Sequence, residues 1–323
     1  MKRFKNILVV CEEASNIQPA LQRALLLAQA NGAQVTLMDV LDAAPGDFAR
    51  IFAALPGARA AEVENKVLEY HQNRLEQLAE PFRAAGIPVQ KTLQQGTAFL
   101  KIIQQVLRED HDLLIKGVHA RGSGAAILFR GFDLHLLRKC PCPVWIIKDE
   151  SGATSSHIMA AVDPDPEDET RNALGQTVMQ LSTTLAEIDD ANLHVVNAWR
   201  LQEESTLRHG RIAMPPDELD KILDRECRNS EWRLNTLLKE FPDATGRRVV
   251  HHLKGMAGEI IPNYAEENGI DTIVTGTVGR TGISGFFIGN TAETILSRVD
   301  CSVIALKPPG FISPVTLENE TAA

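Results

Sequence analysis

The chain repeats itself at a fixed offset. HDLLIKGVHA (His111 to Ala120) matches IDTIVTGTVG (Ile270 to Gly279), and RKCPCPVWIIK (Arg138 to Lys148) matches SRVDCSVIALK (Ser297 to Lys307). Asp112 pairs with Asp271, Gly117 with Gly276, Cys142 with Cys301 and Lys148 with Lys307, each 159 residues apart. Gly96 and Gly255 keep the same register, and NILVVCEE (Asn6 to Glu13) resembles HIMAAVDP (His157 to Pro164). A chain of 323 residues suits two domains by length alone. The repeat makes them two copies of one fold. We place the domains at residues 1–149 and 156–308, joined by the small, polar stretch Asp149 to Ser156, with residues 309–323 as an irregular tail.

Within a copy, apolar runs alternate with helical patterns. Ile7 to Val10 is a short continuous apolar run, as in a strand buried on both faces. Helices are predicted over Pro19–Ala30, Glu62–Phe82, Ala98–Leu107 and Leu134–Lys139, and further strands over Ala33–Val40, Ile87–Leu93, Leu113–Lys116 and Val144–Ile147. On the long helix, Val63, Val67, Tyr70, Leu78 and Phe82 lie near helical spacing. The second copy predicts strands at Ile158–Val162, Leu193–Ala198, Arg248–Leu253, Thr272–Thr275 and Val303–Leu306. Strands separated by helices give an α/β fold: two tandem, doubly wound, five-stranded parallel-sheet domains. Ligands of such sheets bind beyond the carboxyl ends of the strands, where the strand order reverses.

The net charge of -9 argues against a general nucleic-acid surface. No apolar run approaches the ~18 residues that span a bilayer. The basic-then-apolar start, MKRFKNILVV, lacks a small-residue cleavage site and reads as a first strand. The expected setting is the cytoplasm, with no membrane partner. The five cysteines are expected to be reduced. Cys140-Pro-Cys142 lacks the spacing and second ligand pair of a zinc site, so no metal site is predicted and buried thiols are expected.

The sequence GTVGRTGISGFFIGNTAETI (Gly276 to Ile295) places five glycines between a strand and a helix start. This arrangement often holds a phosphate. Its spacing, Gly276-x2-Gly279-x9-Gly289, followed by Asn290-Thr291, resembles the nucleotide loop of the universal stress proteins, G-x2-G-x9-G-(S/T). The resemblance covers nearly the whole chain, once per half. The stretches GTVGRTGIS, GNTAE and HLLRKCPCPVW look like the tandem E-type bacterial members.

The resemblance implies the adenine-nucleotide alpha-hydrolase-like fold, with strand order 3-2-1-4-5 in each half, and a site for ATP with Mg²⁺ on its phosphates in the second half. Asp163 would contact the adenosine portion, against the plain reading of Asp163-Pro164-Asp165 as a turn. Asn197 and Ala198 would wall the base, and Met256 with Ala257 would lie under it. Gly276 would leave room for nucleotide, and Gly279 would let the backbone approach phosphate. Gly289, Asn290 and Thr291 would present a helix N-terminus to it. For Asn290, a plain N-cap is the alternative. Val162, Pro164, Thr277, Arg280 and Ala292 complete the implied set. Asn290 departs from the family's Ser or Thr. The family also implies pairing through the last strand, here Val144–Ile147 with Val303–Leu306 inside one chain. This would give a pseudo-dimer with covered sheet edges and leave a homodimer of chains open.

The first half departs further. Ala120 and Arg130 replace two loop glycines, Gly131 and Phe132 replace Asn290 and Thr291, and Glu12 replaces Asp163. It is expected to be a degenerate copy. No Walker-type Lys-Ser/Thr ending follows the loop, and no constellation for a dedicated catalyst is evident, although Arg280 or His251-His252 would serve a slow ATPase. Phe286, Phe287 and Ile288 are apolar for a loop. They read either as pins to their own domain or as a contact for a partner or lipophilic ligand.

Overall fold

The structure is a computed structural model. It describes residues 4–13, 15, 17–41, 57–118, 131–148, 154–210, 214–277 and 289–318. In the first half the strands are β1 (Asn6–Val10), β2 (Gln34–Leu41), β3 (Val89–Gln95), β4 (Leu113–Gly117) and β5 (Val144–Ile147). Its helices are α1 (Gln18–Asn31), α2 (Gly57–Ala84), α3 (Ala98–Glu109) and α4 (Gly131–Lys139). The second half has β6 (His157–Ala161), β7 (Asn192–Trp199), β8 (Arg248–Lys254), β9 (Thr272–Gly276) and β10 (Ser302–Leu306). Its helices are α5 (Glu169–Asp189), α6 (Glu204–His209), α7 (Pro216–Lys239), α8 (Ala257–Glu267) and α9 (Asn290–Arg298). Each predicted strand is present to within two residues at either end.

All these strands form one sheet, ordered β3-β2-β1-β4-β5-β10-β9-β6-β7-β8. Each half therefore has the expected order, 3-2-1-4-5. Pairing is parallel within each half and antiparallel at the junction, where Ile146 faces Val303 and Trp145 faces Ile304. The two last strands do join the halves, but only these inner edges are covered. The outer edges, β3 and β8, pair on one side only among the described residues, because two open sheets joined at one seam still leave two ends.

Alternation along the strands divides the core. Ile7 and Val9 join an apolar layer with α1, α2, α5 and α7. Leu8 and Val10 join the opposite layer, with α3, α4, α8 and α9. On α2, Val63 and Tyr70 turn out to be exposed, and the buried stripe is His71, Leu75, Ala79 and Phe82. The stripe shifts because the polar His71 is drawn in by Asp39, 2.8 Å away.

Side chains also tie the halves together. Arg23 on α1 places Nη1 at 2.7 and 2.8 Å from the two carboxylate oxygens of Asp189, at the end of α5. Its guanidinium also lies over the Trp145 ring. Lys148 pairs with Asp300, Arg138 pairs with Glu293, and Lys307 donates to the carbonyls of Leu137 and Arg138. Burial pulls the Lys307 ammonium down to about 8. The described tail has no helix or strand, yet it docks on the first half: Ser313 donates to Lys139 O, Gln104 donates to Thr316 O, and Val315 is buried. Cys140 and Cys142 are buried thiols whose sulfurs lie 3.5 Å apart. Among the described residues, no cluster of acidic, His or Cys side chains suits a metal ion, and no helix is long and apolar enough to cross a membrane.

Candidate functional site

In the second half, β6 and β9 lie side by side, with Ala161 opposite Thr275. Beyond their carboxyl ends the chain departs to opposite faces, through Asp163 toward α5 and through Thr277 toward α9. This is the switch point of the sheet, where the topology leaves a crevice.

Asp163 lies at its lip, with a half-exposed side chain 2.9 Å from Arg171 Nη2. Arg171 also holds Asp165 at 2.6 Å, and Arg233 approaches Asp165 at 3.9 Å. Val162 and Pro164 flank Asp163 and are buried. Asp168 caps α5 by accepting from Arg171 N. The sequence reading missed Arg171, although a signal was there. A cation in the first turn of a helix opposes the helix dipole, so Arg171 needed carboxylates close by, and Asp163 and Asp165 precede it.

The residues expected to wall the base stand at the end of β7. Asn197 is buried at the end of β7. It donates to Val162 O at 2.9 Å and accepts from Ser230 Oγ at 3.1 Å, and Ser230 in turn lies 3.0 Å from His252 Nε2. Asn197 therefore ties the end of β6, β7 and α7 together while still lining the crevice. Burial lowers the His252 pKa. Ala198 is also buried. Gly255 has φ +152°, and a Cβ there would meet Ile260 at 2.8 Å. Met256, the N-cap of α8, is 48% exposed and available as a platform.

At the loop, the space in front of Gly276 is already filled. A Cβ on it would stand 2.5 Å from Leu174 Cδ2 on α5. The packing of Leu174 on α5 is thus one reason for a glycine at this position. Thr277 is buried; both its N and its Oγ1 donate to Leu306 O, at 3.0 Å each, and Lys307 donates to its Oγ1. Gly289 N donates to Thr277 O at 2.9 Å and closes the mouth of the loop. Gly289, not Asn290, is the N-cap, and the cap carries no side-chain hydrogen bond. Asn290 and Thr291 are the first helical residues and exposed, whereas Ala292 is buried. Gly279, Arg280, Phe286, Phe287 and Ile288 lie outside the described residues.

The cavity lined by Asp163, Arg171, Asn197, Trp199, Ser230 and Arg233 measures about 80 Å³. Small-molecule pockets usually measure roughly 300 Å³ or more.

The first half shows what happens to the same crevice without its loop glycines. Lys116, the counterpart of Thr275, is buried with Nζ 3.0 Å from both Glu12 and Asp133, and it lies over the Phe132 ring. An internal ammonium with two carboxylates thus occupies the switch point. Beside it, buried Asp39, at the position of Asn197, binds His71 and Arg74. His71 and Arg74 match Ser230 and Arg233 at the same 159-residue offset, so the repeat extends into α2 and α7. Ala120 and Arg130 lie outside the described residues.

The model of the universal stress protein family matches twice, at residues 3–148 and 154–307. The chain belongs to the universal stress protein family. It is a tandem member. Universal stress protein E of Salmonella typhi and that of Escherichia coli K12 are each 31% identical to it, over 99% of both chains. A functionally unknown Pseudomonas aeruginosa protein superposes with a TM-score of 0.72 at 25% identity, covering 95% of this chain and 94% of its own. A universal stress protein from Archaeoglobus fulgidus has the same fold, with a TM-score of 0.60 at 16% identity, covering 94% and 98%.

Proposed function

We propose that the chain is a stress-response protein whose second half binds ATP or a related adenine nucleotide and which acts by binding and association, not turnover. The observation that carries this reading is the juxtaposition at one switch point of the Asp163 carboxylate with the α9 N-terminus, held in place by the Gly289 N to Thr277 O bond. Unpaired N–H groups and the helix dipole favour the phosphates there, and Asp163 accepts from the ribose. Asn290 and Thr291, both exposed, supply side-chain donors. Gly279 and Arg280, within the stretch that matches the family's phosphate pattern in sequence, would contact the phosphates, and Mg²⁺ would ride on the phosphates. The first half, filled by Lys116, Glu12 and Asp133, takes no part. In the second half Thr275 and Ala292 stand where Lys116 and Asp133 are, so the buried ammonium–carboxylate cluster of the first half has no counterpart there.

Nucleotide at Asp163 would displace Arg171 from its ion pair. Calorimetry of the full chain with Mg-ATP tests the reading. Saturable heat that disappears in Asp163→Ala supports it; silence up to millimolar ATP defeats it. The small cavity favours the rival reading, a partner-binding stress protein that holds no nucleotide. Native mass spectrometry of freshly purified chain separates the two by the mass of whatever is retained.

A further inference from the structure

The repeat supplies an internal control for the two outer edges of the sheet. At the 159-residue offset, Val249 and Val250 of β8 stand where β3 has Gln90 and Lys91. Trp232 and Asn235 of α7 stand where α2 has Asn73 and Glu76. The first half guards its edge in the usual way, with polar side chains and a Lys91–Glu76 ion pair. The second half puts apolar residues at these positions and keeps charge on the strand only at its two ends, Arg248 and Lys254. Trp232 is 57% exposed, Val249 47% and Val250 41%.

Between α7 and the β8 edge runs a shallow groove of about 760 Å³, with Trp232, Leu238 and Val250 as its apolar part. Arg228, Lys239 and Arg248 line it against one acid, Glu231. This cationic strip stands out on a chain of net charge -9. The outer side of β8 makes no strand pairing among the described residues.

We propose that the β8 edge is a docking site for an extended segment of a partner protein, in which apolar residues alternate with acidic ones. Such a segment would add a strand to the sheet, its backbone pairing with the open edge. Its apolar side chains would cover Trp232 and Val250, and its carboxylates would meet Arg228, Lys239 and Arg248. A second copy of this chain fits less well. Two β8 strands paired over their full length about a two-fold axis at His251 would set Arg248 opposite Lys254, a like-charge pair.

The test is selection of a displayed random peptide library on the full chain. Enriched peptides are then synthesised and titrated against wild type, Val250→Lys and Trp232→Asn. The two variants install the first half's edge residues at exposed positions. Acidic–apolar peptides that lose at least tenfold in affinity for both variants, and that slow amide exchange of Val249 to Leu253 in wild type, are the expected result. Failure to enrich any such peptide, or equal binding to the variants, overturns the proposal. So does a concentration-dependent dimer that Val250→Lys abolishes, since that would assign the edge to a second copy.

Discussion

Arg171 Nη2 lies 2.9 Å from the Asp163 carboxylate, with Asp163 48% and Arg171 20% exposed. The same guanidinium holds Asp165, so one side chain spans the lip of the crevice. Nucleotide and Arg171 then compete for Asp163. At this exposure the ion pair is worth about 0–1 kcal/mol. Arg171→Gln is therefore predicted to tighten ATP binding by up to roughly fivefold, whereas Asp163→Ala weakens it by roughly tenfold or more. Titration calorimetry on both variants reads the two signs, and an Arg171→Gln variant that binds more weakly would make Arg171 a ligand contact instead of a competitor.

Gly276→Ala is predicted to destabilise the second half by about 1–3 kcal/mol, because its methyl would meet Leu174 Cδ2 at 2.5 Å and Cγ at 2.9 Å. Adding Leu174→Ala removes the clash and should recover part of the loss, a non-additivity that urea unfolding can measure. A purely ligand-related glycine would leave the stability of the free chain unchanged.

The buried Arg23–Asp189 pair has side chains only 3% and 1% exposed. Breaking such a pair leaves an uncompensated charge and typically costs about 3–5 kcal/mol. Arg23→Met should lower the denaturation midpoint and separate the unfolding of the two halves into two transitions. A single unshifted transition would show that the β5–β10 seam alone couples them.

Acid should weaken the second half through its histidines. His157 Nδ1 lies 3.0 Å from His194 Nε2, and His194 Nδ1 lies 2.8 Å from Tyr264 OH. Burial, then the neighbouring imidazoles, hold His194 below its ordinary 6.5, and burial does the same for His251. The unfolded chain therefore binds more protons in this range. The stabilisation is fully present above 6.5 and is lost as pH falls from there through the lower folded values. Unfolding free energies measured across that window should slope downward toward acid in wild type and less steeply in His194→Gln.

Much of this architecture was legible before any coordinates. The 159-residue register fixed two copies, the apolar runs fixed the strands, and the glycine spacing with its strand and helix pointed to the switch point of the second half. These are local or periodic signals, and backbone geometry reads them directly. Other features depended on partners distant in sequence. Asn197 became a structural tie because Ser230 and Val162 reach it, and Gly276 was needed for Leu174. His71 was drawn inward by Asp39, and Lys116 filled the first crevice because two carboxylates from separate elements converge on it. An unguarded β8 edge emerges only once α7 is set beside the strand. Sequence periodicity specifies which faces must be buried; only the packed fold decides which charged and polar groups end within 3 Å of one another, and that proximity determines whether a crevice is open to a ligand.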